Sequence, residues 1–264
     1  MNKALTVITA AIVIFLCACS ATHETNEYTL VWQDEFDGTA IDTTSWSFAT
    51  GGNGWGNNEL EYYTGRPENA SVANGNLVIT AKKEQYNGKE YTSARMITKD
   101  KKSFLYGRMD IRAKLPIGQG IWPALWMLGE NIDEAGWPAC GEIDIMEMLG
   151  HATDTLYGTL HWGPSPSAHR SKGNHYVLET GSFSDDFHVY SLLWEKDSMQ
   201  ILVDDRPFFS ISRQEFAANE YPFDKPHYFL FNVAVGGDWP GPPDQSTAFP
   251  QQMLIDYVKV FQKK

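Results

Sequence analysis

This chain of 264 residues is long for one domain, but all-β sandwiches of roughly 200 to 250 residues are common, so a single folding unit is favoured. Aspartate and glutamate number 33 against 21 lysines and arginines, and this acidic excess argues against a nucleic-acid partner while remaining compatible with a neutral ligand. The nine tryptophans are many for this length and serve equally well in a large core or on a surface that stacks sugar rings.

The first 19 residues have the features of an export signal. Lys3 is followed by an apolar run from Ala4 to Leu16 that is too short to span a bilayer. The small residue before Cys19 resembles the lipobox of bacterial lipoproteins, in which this cysteine is acylated after cleavage; the alternative is an ordinary signal peptide cleaved nearby. We therefore expect an exported lipoprotein, in the outer membrane or at the cell surface, that is held at the membrane by lipid on Cys19. The polar residues 20–27 would form a short tether.

From residue 28 onward, short segments alternate apolar and polar residues in the pattern of half-buried strands. The clearest such segments are residues 77–81, 108–113, 201–204 and 255–260. Turn sequences stand between strands, at Asn74-Gly75, Asn87-Gly88 and Asp204-Asp205. No repeat or linker divides the chain, and no helical period persists for more than about two turns. We predict one all-β domain, residues 28–264, a sandwich of two antiparallel sheets whose concave face would form a groove for a linear polymer.

The predicted strand at residues 142–148 carries three carboxylates among apolar residues. Because side chains alternate along a strand, Glu142 and Asp144 share a face, and strict alternation would turn Glu147 into the core. A buried unpaired carboxylate is costly, so we predict a one-residue β-bulge at Ile145-Met146 that returns Glu147 to the same face. The two glutamates would then lie four strand positions apart, with about 13 Å between their Cα atoms at about 3.3 Å per residue.

Acids arranged in this way suit the hydrolysis of a glycosidic bond. Carboxyl groups that lean together from these positions can approach the separation of about 5 to 5.5 Å found in retaining glycosidases, short of the roughly 6.5 to 9.5 Å of inverting enzymes. Three acids this close cannot all ionise freely at neutral pH, so at least one should have the raised pKa that a proton donor requires. Asp144, between the glutamates, would tune both.

The sequence Glu142-Ile143-Asp144-Ile145-Met146-Glu147 resembles the motif of glycoside hydrolase family 16, in the bulged form of laminarinases. Further segments that look like family segments are residues 32–36, 55–64, 122–128, 158–162 and 232–241. The resemblance implies a β-jelly-roll, similar to concanavalin A, that hydrolyses β-linked polysaccharides by double displacement in a concave cleft. Glu142 would then be the nucleophile, Glu147 the general acid/base and Asp144 the helper acid beside the nucleophile.

The same resemblance supplies candidate substrate contacts. Trp122 and Trp126 resemble cleft residues that stack on sugar rings, although a tryptophan in such a fold is more often a core residue. Asn57, Glu61 and Trp239 resemble contacts on the glycone side of the cut.

One histidine, His161, resembles the family's histidine that hydrogen-bonds substrate or the acid/base. The remaining histidines of the domain have no such placement and are predicted to be surface or structural residues: His151, His169, His175, His188 and His227.

A metal ion is not needed for retaining chemistry with two carboxylates, and no His or Cys cluster has zinc-like spacing. We therefore expect no cofactor for catalysis. Many family members hold a structural calcium ion on the convex face, and Asp256 matches the aspartate that binds it. Glu35 and Gly75 match the positions that lend main-chain carbonyls, and oxygen ligands suit calcium. The alternative is that Asp256 simply faces water in the last strand.

Together these features predict a monomeric, endo-acting enzyme that hydrolyses β-1,3-glucan, mixed-linkage β-1,3/1,4-glucan or both. One alternative is a family member with another substrate, such as an agarase or carrageenase, although residues 122–126 and 55–64 favour a glucanase. A non-catalytic carbohydrate-binding sandwich is a second alternative, and the retention of both Glu142 and Glu147 argues against it. The sequence does not decide between the two glucans.

Overall fold

The computed structural model describes residues 28–217 and 220–264, so the predicted signal, Cys19 and tether lie outside the described residues. The strands in chain order are β1 (Tyr28–Asp34), β2 (Ser47–Phe48), β3 (Glu61–Tyr63), β4 (Ala70–Ala73), β5 (Asn76–Tyr86), β6 (Lys89–Ser93), β7 (Arg95–Ile97), β8 (Gly107–Lys114), β9 (Ile121–Gly129), β10 (Glu142–Met148), β11 (Thr155–Trp162), β12 (Arg170–Val177), β13 (His188–Glu195), β14 (Ser198–Val203), β15 (Arg206–Ser212), β16 (His227–Val235) and β17 (Gln251–Lys263). The helical pieces are α1 (Ile132–Ala135) and two 3-10 turns, Pro166–Ala168 and Arg213–Glu215. Within the two described ranges, no helix has the length and apolar character to cross a bilayer.

The strands form two curved sheets that pack face to face. The larger sheet has the order β15-β14-β13-β8-β17-β5-β6-β3, with β1 also on β17 and β4 on β5; the smaller has the order β12-β11-β10-β9-β16-β7-β2. In the described ranges every strand pair is antiparallel except β3 with β6. The predicted all-β jelly-roll of two antiparallel sheets is confirmed.

Three hairpins close through the turns predicted from their sequences. Both central residues have positive φ in each turn, +53° and +72° at Asn74-Gly75, +47° and +81° at Asn87-Gly88, and +48° and +61° at Asp204-Asp205. These values define type I′ turns, whose twist matches that of the flanking strands, and asparagine, aspartate and glycine adopt them at little cost. The turns therefore fix the register of the hairpins β4-β5, β5-β6 and β14-β15.

The core fills the space between the sheets with aliphatic and aromatic side chains. Strand β16 is buried along its whole length because it lies between β9 and β7 in the smaller sheet. Trp46, 1% exposed, contacts Phe231 with 5.1 Å between ring centroids and donates from its Nε1 to Asp34 Oδ2 at 2.8 Å. This hydrogen bond satisfies the one polar atom that the ring carries inside. The rigid core holds β10 in the middle of the smaller sheet, between β9 and β11.

Candidate active site

Strand β10 contains the predicted bulge. Asp144 pairs with Trp126 on β9 and Met146 pairs with Leu125, so Ile145 is the extra residue. Ile145 and Met146 are consecutive and both buried in the core, whereas Glu142, Asp144 and Glu147 all line one groove. Because of the bulge the glutamates pair with residues 128 and 124 of β9, four positions apart.

The groove has a volume of about 700 Å³ and runs over the outer face of the smaller sheet. It brings together eight of the predicted site residues: Asn57, Trp122, Trp126, Glu142, Asp144, Glu147, His161 and Trp239. They come from strands β9, β10 and β11 and from the loops before β3 and after β16. Neighbouring strands supply the acids and the tryptophans because side chains two and four positions apart face the same side of a sheet.

Glu142 has several partners that favour its ionised form. Trp137 donates from Nε1 to Glu142 Oε2 at 2.9 Å, and His161 Nε2 lies 3.9 Å from Oε1. Burial, and after it the negative charge of Asp144, raises the pKa of Glu142 to about 8, against the smaller opposing effects of His161, Trp137 and Arg95. Burial therefore disfavours the ionised form of Glu142, and the neighbouring donor and positive charges partly offset this effect.

Glu147 at the other end of the line has fewer such partners. Trp122 donates from Nε1 to Glu147 Oε1 at 3.1 Å. Burial is the main cause that raises the pKa of Glu147 well above its ordinary value, and the charge of Asp144 adds to it. Glu147 therefore has fewer neighbours that favour its ionised form than Glu142 has.

Asp144 lies between the two glutamates and is 4% exposed. Its Oδ2 is 3.2 Å from His161 Nε2, and burial raises its pKa to about 8. A histidine beside two acids can neutralise part of their charge, so His161 lies where it can order the protons of this cluster.

The tryptophan rings of the groove are fixed by hydrogen bonds and ring contacts. Trp126 donates from Nε1 to Asn232 Oδ1 at 2.7 Å, and the Arg95 guanidinium lies 4.6 Å from the centre of its ring. Trp239 is 41% exposed and meets the edge of Trp122 with 5.4 Å between centroids. Fixed aromatic faces of this kind bind sugar rings without losing side-chain entropy.

The prediction that Glu61 contacts substrate is wrong. Glu61 is fully buried, does not line the groove and accepts a hydrogen bond from the Val235 backbone N–H at 2.6 Å. Glu59 lines the groove instead, and it accepts hydrogen bonds from Asn57 Nδ2 at 3.1 Å and from the Tyr63 hydroxyl at 2.9 Å. Glu59 and Glu61 are two positions apart in an extended segment, so the sequence pattern places both on the same face. Only the tertiary packing shows that one lines the groove and the other is buried.

Two groove residues that sequence reasoning missed belong to loops. Trp137 lies between α1 and β10, and His169, predicted to be a surface or structural residue, lies just before β12. The Nε2 atom of His169 is 2.8 Å from His161 Nδ1. His169 comes close to His161 because β11 and β12 form an antiparallel pair in which Arg170 pairs with Trp162. Other missed lining residues are Trp55, Glu59, Arg95 and Asn232.

The residues predicted for calcium lie on the larger sheet, away from the groove. On one edge of β17, pairing with β5 ends at Ile255 and pairing with β1 begins at Val258, so a gap in the ladder falls at Asp256. Glu35 follows β1 directly and Gly75 belongs to the β4-β5 turn, so both main-chain segments flank this gap. Asp256 Oδ2 also accepts a hydrogen bond from Arg112 Nη1 at 2.6 Å.

Comparison with known proteins agrees with the arrangement of the groove. The family model "Glycosyl hydrolases family 16" matches residues 57–259. The chain is similar to the catalytic domain of an endo-1,3-beta-glucanase (laminarinase) from Thermotoga petrophila RKU-1, at 52% identity and a TM-score of 0.85, over 90% of this chain and 98% of that one. It is 40% identical to a beta-glucanase of Rhodothermus marinus, over 96% of this chain and 93% of that protein. It is 39% identical to a glucan endo-1,3-beta-glucosidase of Cryptopygus antarcticus, over 93% and 96% of the two. With a family model over most of its length and such relatives over nearly all of it, the chain belongs to glycosyl hydrolase family 16.

Proposed function

We propose that this protein is a retaining endo-β-glucanase that cleaves β-1,3-glucan, mixed-linkage β-1,3/1,4-glucan or both. The observation that carries the proposal is the bulged strand β10, which holds Glu142, Asp144 and Glu147 along the floor of a tryptophan-lined groove. The glucanase names of the similar proteins support a glucan as the substrate class. A long surface groove lined by several tryptophans suits the binding of a polymer along several of its sugar units.

The environments of the two glutamates assign their roles. Glu142, whose ionised form is favoured by the Trp137 N–H and by His161, attacks the anomeric carbon to form a glycosyl-enzyme. Glu147, which retains its proton, protonates the leaving glycosidic oxygen. Two like acids with separated pKa values are what an acid-plus-nucleophile pair requires.

In the second step the carboxylate of Glu147 takes a proton from water, and that water releases the sugar from Glu142. The negative charge that returns to Glu142 is met by the Trp137 N–H and by His161. Asp144 Oδ2 lies 3.2 Å from His161 Nε2, close enough for a protonated His161 to offset the negative charge on this face. Trp122 and Trp126 hold the sugar rings on either side of the cut.

The first experiment is a product profile of residues 20–264 on laminarin and, separately, on cereal mixed-linkage glucan. We expect oligosaccharides from at least one polymer, with the β-anomer formed first in NMR spectra of the early products. Glu142→Gln should release none, whereas Glu90→Gln, a change at an exposed acid on β6, should cleave like the unaltered protein. An α-anomer as first product would refute retention, and no cleavage of either polymer would point to a galactan substrate or to a binding protein.

The acid role of Glu147 has its own test. Glu147→Ala should lose activity on polymers but keep much of its glycosylation rate on an aryl glucoside with a very good leaving group, since that group leaves without protonation. Equal loss on both substrates would contradict the assigned role.

The proposal includes a structural calcium ion at Asp256. A carboxylate flanked by the main chain at Glu35 and Gly75 is an oxygen donor set of the kind calcium prefers, although Arg112 shares the carboxylate. Bound calcium would tie β1, β5 and β17 together and stabilise the folded state. We expect calcium chloride to raise the unfolding midpoint relative to EGTA in the unaltered protein and to have no effect on Asp256→Ala; equal midpoints in the unaltered protein would count against the site.

The proposal also includes export and a lipid anchor on Cys19, which rest on the sequence of residues 1–19. Labelling with a radioactive fatty acid in an exporting bacterial host should mark the unaltered chain and Cys17→Ser but not Cys19→Ser. Label on the Cys19 variant would disprove the anchor.

A further inference from the structure

The contact between His161 and His169 is not needed by the mechanism described above. The two ring nitrogens, His161 Nδ1 and His169 Nε2, are 2.8 Å apart. The ring planes differ by 13° and the centroids are 5.0 Å apart. Nitrogens this close with centroids this far apart mean that the rings meet edge to edge in one plane, which is the geometry of a hydrogen bond and not of face-to-face stacking.

This hydrogen bond constrains the tautomer of His161. A neutral imidazole carries one N–H, and the atom that carries it is set by the bond made by the other nitrogen. If His169 Nε2–H donates to His161 Nδ1, the proton of His161 must be on Nε2, 3.2 Å from Asp144 Oδ2 and 3.9 Å from Glu142 Oε1. The other tautomer would put a lone pair of His161 against two acids.

His169 also contacts Trp137, the residue that donates a hydrogen bond to Glu142. The ring of Trp137 lies 4.8 Å from that of His169, and Trp137 Nε1 donates to Glu142 Oε2 at 2.9 Å. One loop side chain thus touches two of the three groups that favour ionisation of Glu142, namely Trp137 and His161. Trp137 is 38% exposed and belongs to a loop, so this ring contact restricts a side chain that solvent would otherwise leave mobile.

The loop that carries His169 is compact. Gly163 has a φ of +131°, and a Cβ there would lie 2.4 Å from the Ala168 carbonyl oxygen. The Ala168 N–H donates to the Ser165 carbonyl at 3.0 Å, and β12 begins at the next residue after His169. His169 is therefore held by a closed turn at one end and by a strand at the other.

We propose that His169 is a positioning residue of the site, which fixes His161 as the Nε2–H tautomer facing Asp144 and Glu142 and holds Trp137 against Glu142. The inference rests on the proposed function for its consequence in catalysis, but the tautomer itself is a property of the folded protein.

The charges around the pair agree with this arrangement. Burial, and then the positive charge of His161 whenever that ring is protonated, lowers the pKa of His169, so His169 stays neutral and has one N–H to donate. The ionisable groups of the described structure that interact with His161 are Glu142, Asp144 and Glu147 on β10, and Arg170, the neighbour of His169 in the chain, is paired with Glu220.

Two substitutions separate positioning from mere filling of space. His169→Leu fills the site without a hydrogen bond, whereas His169→Gln keeps an N–H near the position of Nε2. His169 is exposed, so the hydrogen bond is worth less than a buried one, and we expect His169→Leu to lower kcat roughly three- to fivefold, with little change in KM. His169→Gln should recover most of that loss. His151→Leu, at an exposed histidine outside the groove, is the matched control and should behave like the unaltered protein.

The direct measurement is the nitrogen-15 NMR spectrum of the histidine rings at neutral pH. We expect a protonated Nε2 and an accepting Nδ1 on His161 in the unaltered protein and in His169→Gln, and a mixture of tautomers in His169→Leu. The same tautomer in all three, or equal activity of Leu and Gln variants, would overturn the proposal. If the unaltered protein cleaves no glucan, the proposed function fails while the spectra still decide the tautomer.

Discussion

Replacing Glu142 by Gln should make the folded protein more stable at neutral pH although it abolishes hydrolysis. Burial and Asp144 raise the pKa of Glu142 to about 8 from an ordinary value of 4.5. A carboxyl with a raised pKa in the folded state binds its proton more tightly there than in the unfolded chain. The protonated carboxyl therefore stabilises the folded state fully below pH 4.5, and this stabilisation is lost as the pH rises from 4.5 to about 8.

The size of this effect follows from the same two values. At pH 7, which is about 2.5 pH units above 4.5, a factor of about 1.36 kcal/mol per unit gives a destabilisation of about 3 kcal/mol. The side chain is 17% exposed, so solvent screens the effect only slightly. Glutamine keeps an oxygen that can accept the Trp137 hydrogen bond but cannot ionise. For a domain of this size the gain corresponds to an unfolding midpoint roughly 6 to 12 °C higher.

The assay is denaturant unfolding of both proteins at pH 4.5, 6, 7 and 8. The difference in free energy of unfolding, variant minus unaltered, should be small at pH 4.5 and rise towards pH 8. Glu90→Gln, at an exposed acid on β6, should give a flat difference. A flat line for Glu142→Gln, or one that falls with pH, would refute the argument that burial of this carboxyl opposes folding.

Three further substitutions test other parts of the structure. Glu61→Ala should lower the free energy of unfolding by about 1 to 3 kcal/mol in denaturant, because the buried Val235 N–H loses its acceptor, while Glu61→Gln should be close to neutral. Trp239→Ala should raise KM for glucan several-fold without changing the unfolding midpoint, because its exposed ring contacts only Trp122 and Tyr157 at the rim; a lower midpoint would contradict this. Gly163→Ala should lower kcat, since its Cβ would collide with the Ala168 carbonyl, and unchanged kinetics would show that the loop adjusts freely.

The features that the sequence predicted correctly are those written in local patterns. The alternation in β5, β8, β14 and β17 and the Asn-Gly and Asp-Asp turns are short-range signals that require no knowledge of the rest of the chain. The bulge in β10 was predictable because one physical cost, a carboxylate forced into the core, outweighed strict alternation. Strands of two or three residues, such as β2 and β7, are too short to carry a period, and their pairing depends on β16.

The errors fall where a side chain's position depends on distant parts of the chain. Glu59 and Glu61 are equivalent in an alternating pattern, yet Glu61 is buried and accepts a hydrogen bond from the Val235 N–H at the end of β16. Trp137 and His169 lie in loops whose path no periodicity describes, and they meet over the groove only because β10, β11 and β12 are neighbours. Sequence reasoning located the acids correctly and left out the loop residues that surround them.

The division of labour among the three acids therefore depends on their neighbours and not on residue type. Glu142 and Glu147 are the same side chain on the same face of one strand, and burial raises the pKa of both. The charge of His161 acts on both, but Glu142 also accepts a hydrogen bond from Trp137, whereas the donor to Glu147 in the described structure is Trp122. Since His169 contacts both Trp137 and His161, the loop before β12 helps to decide which glutamate loses its proton first.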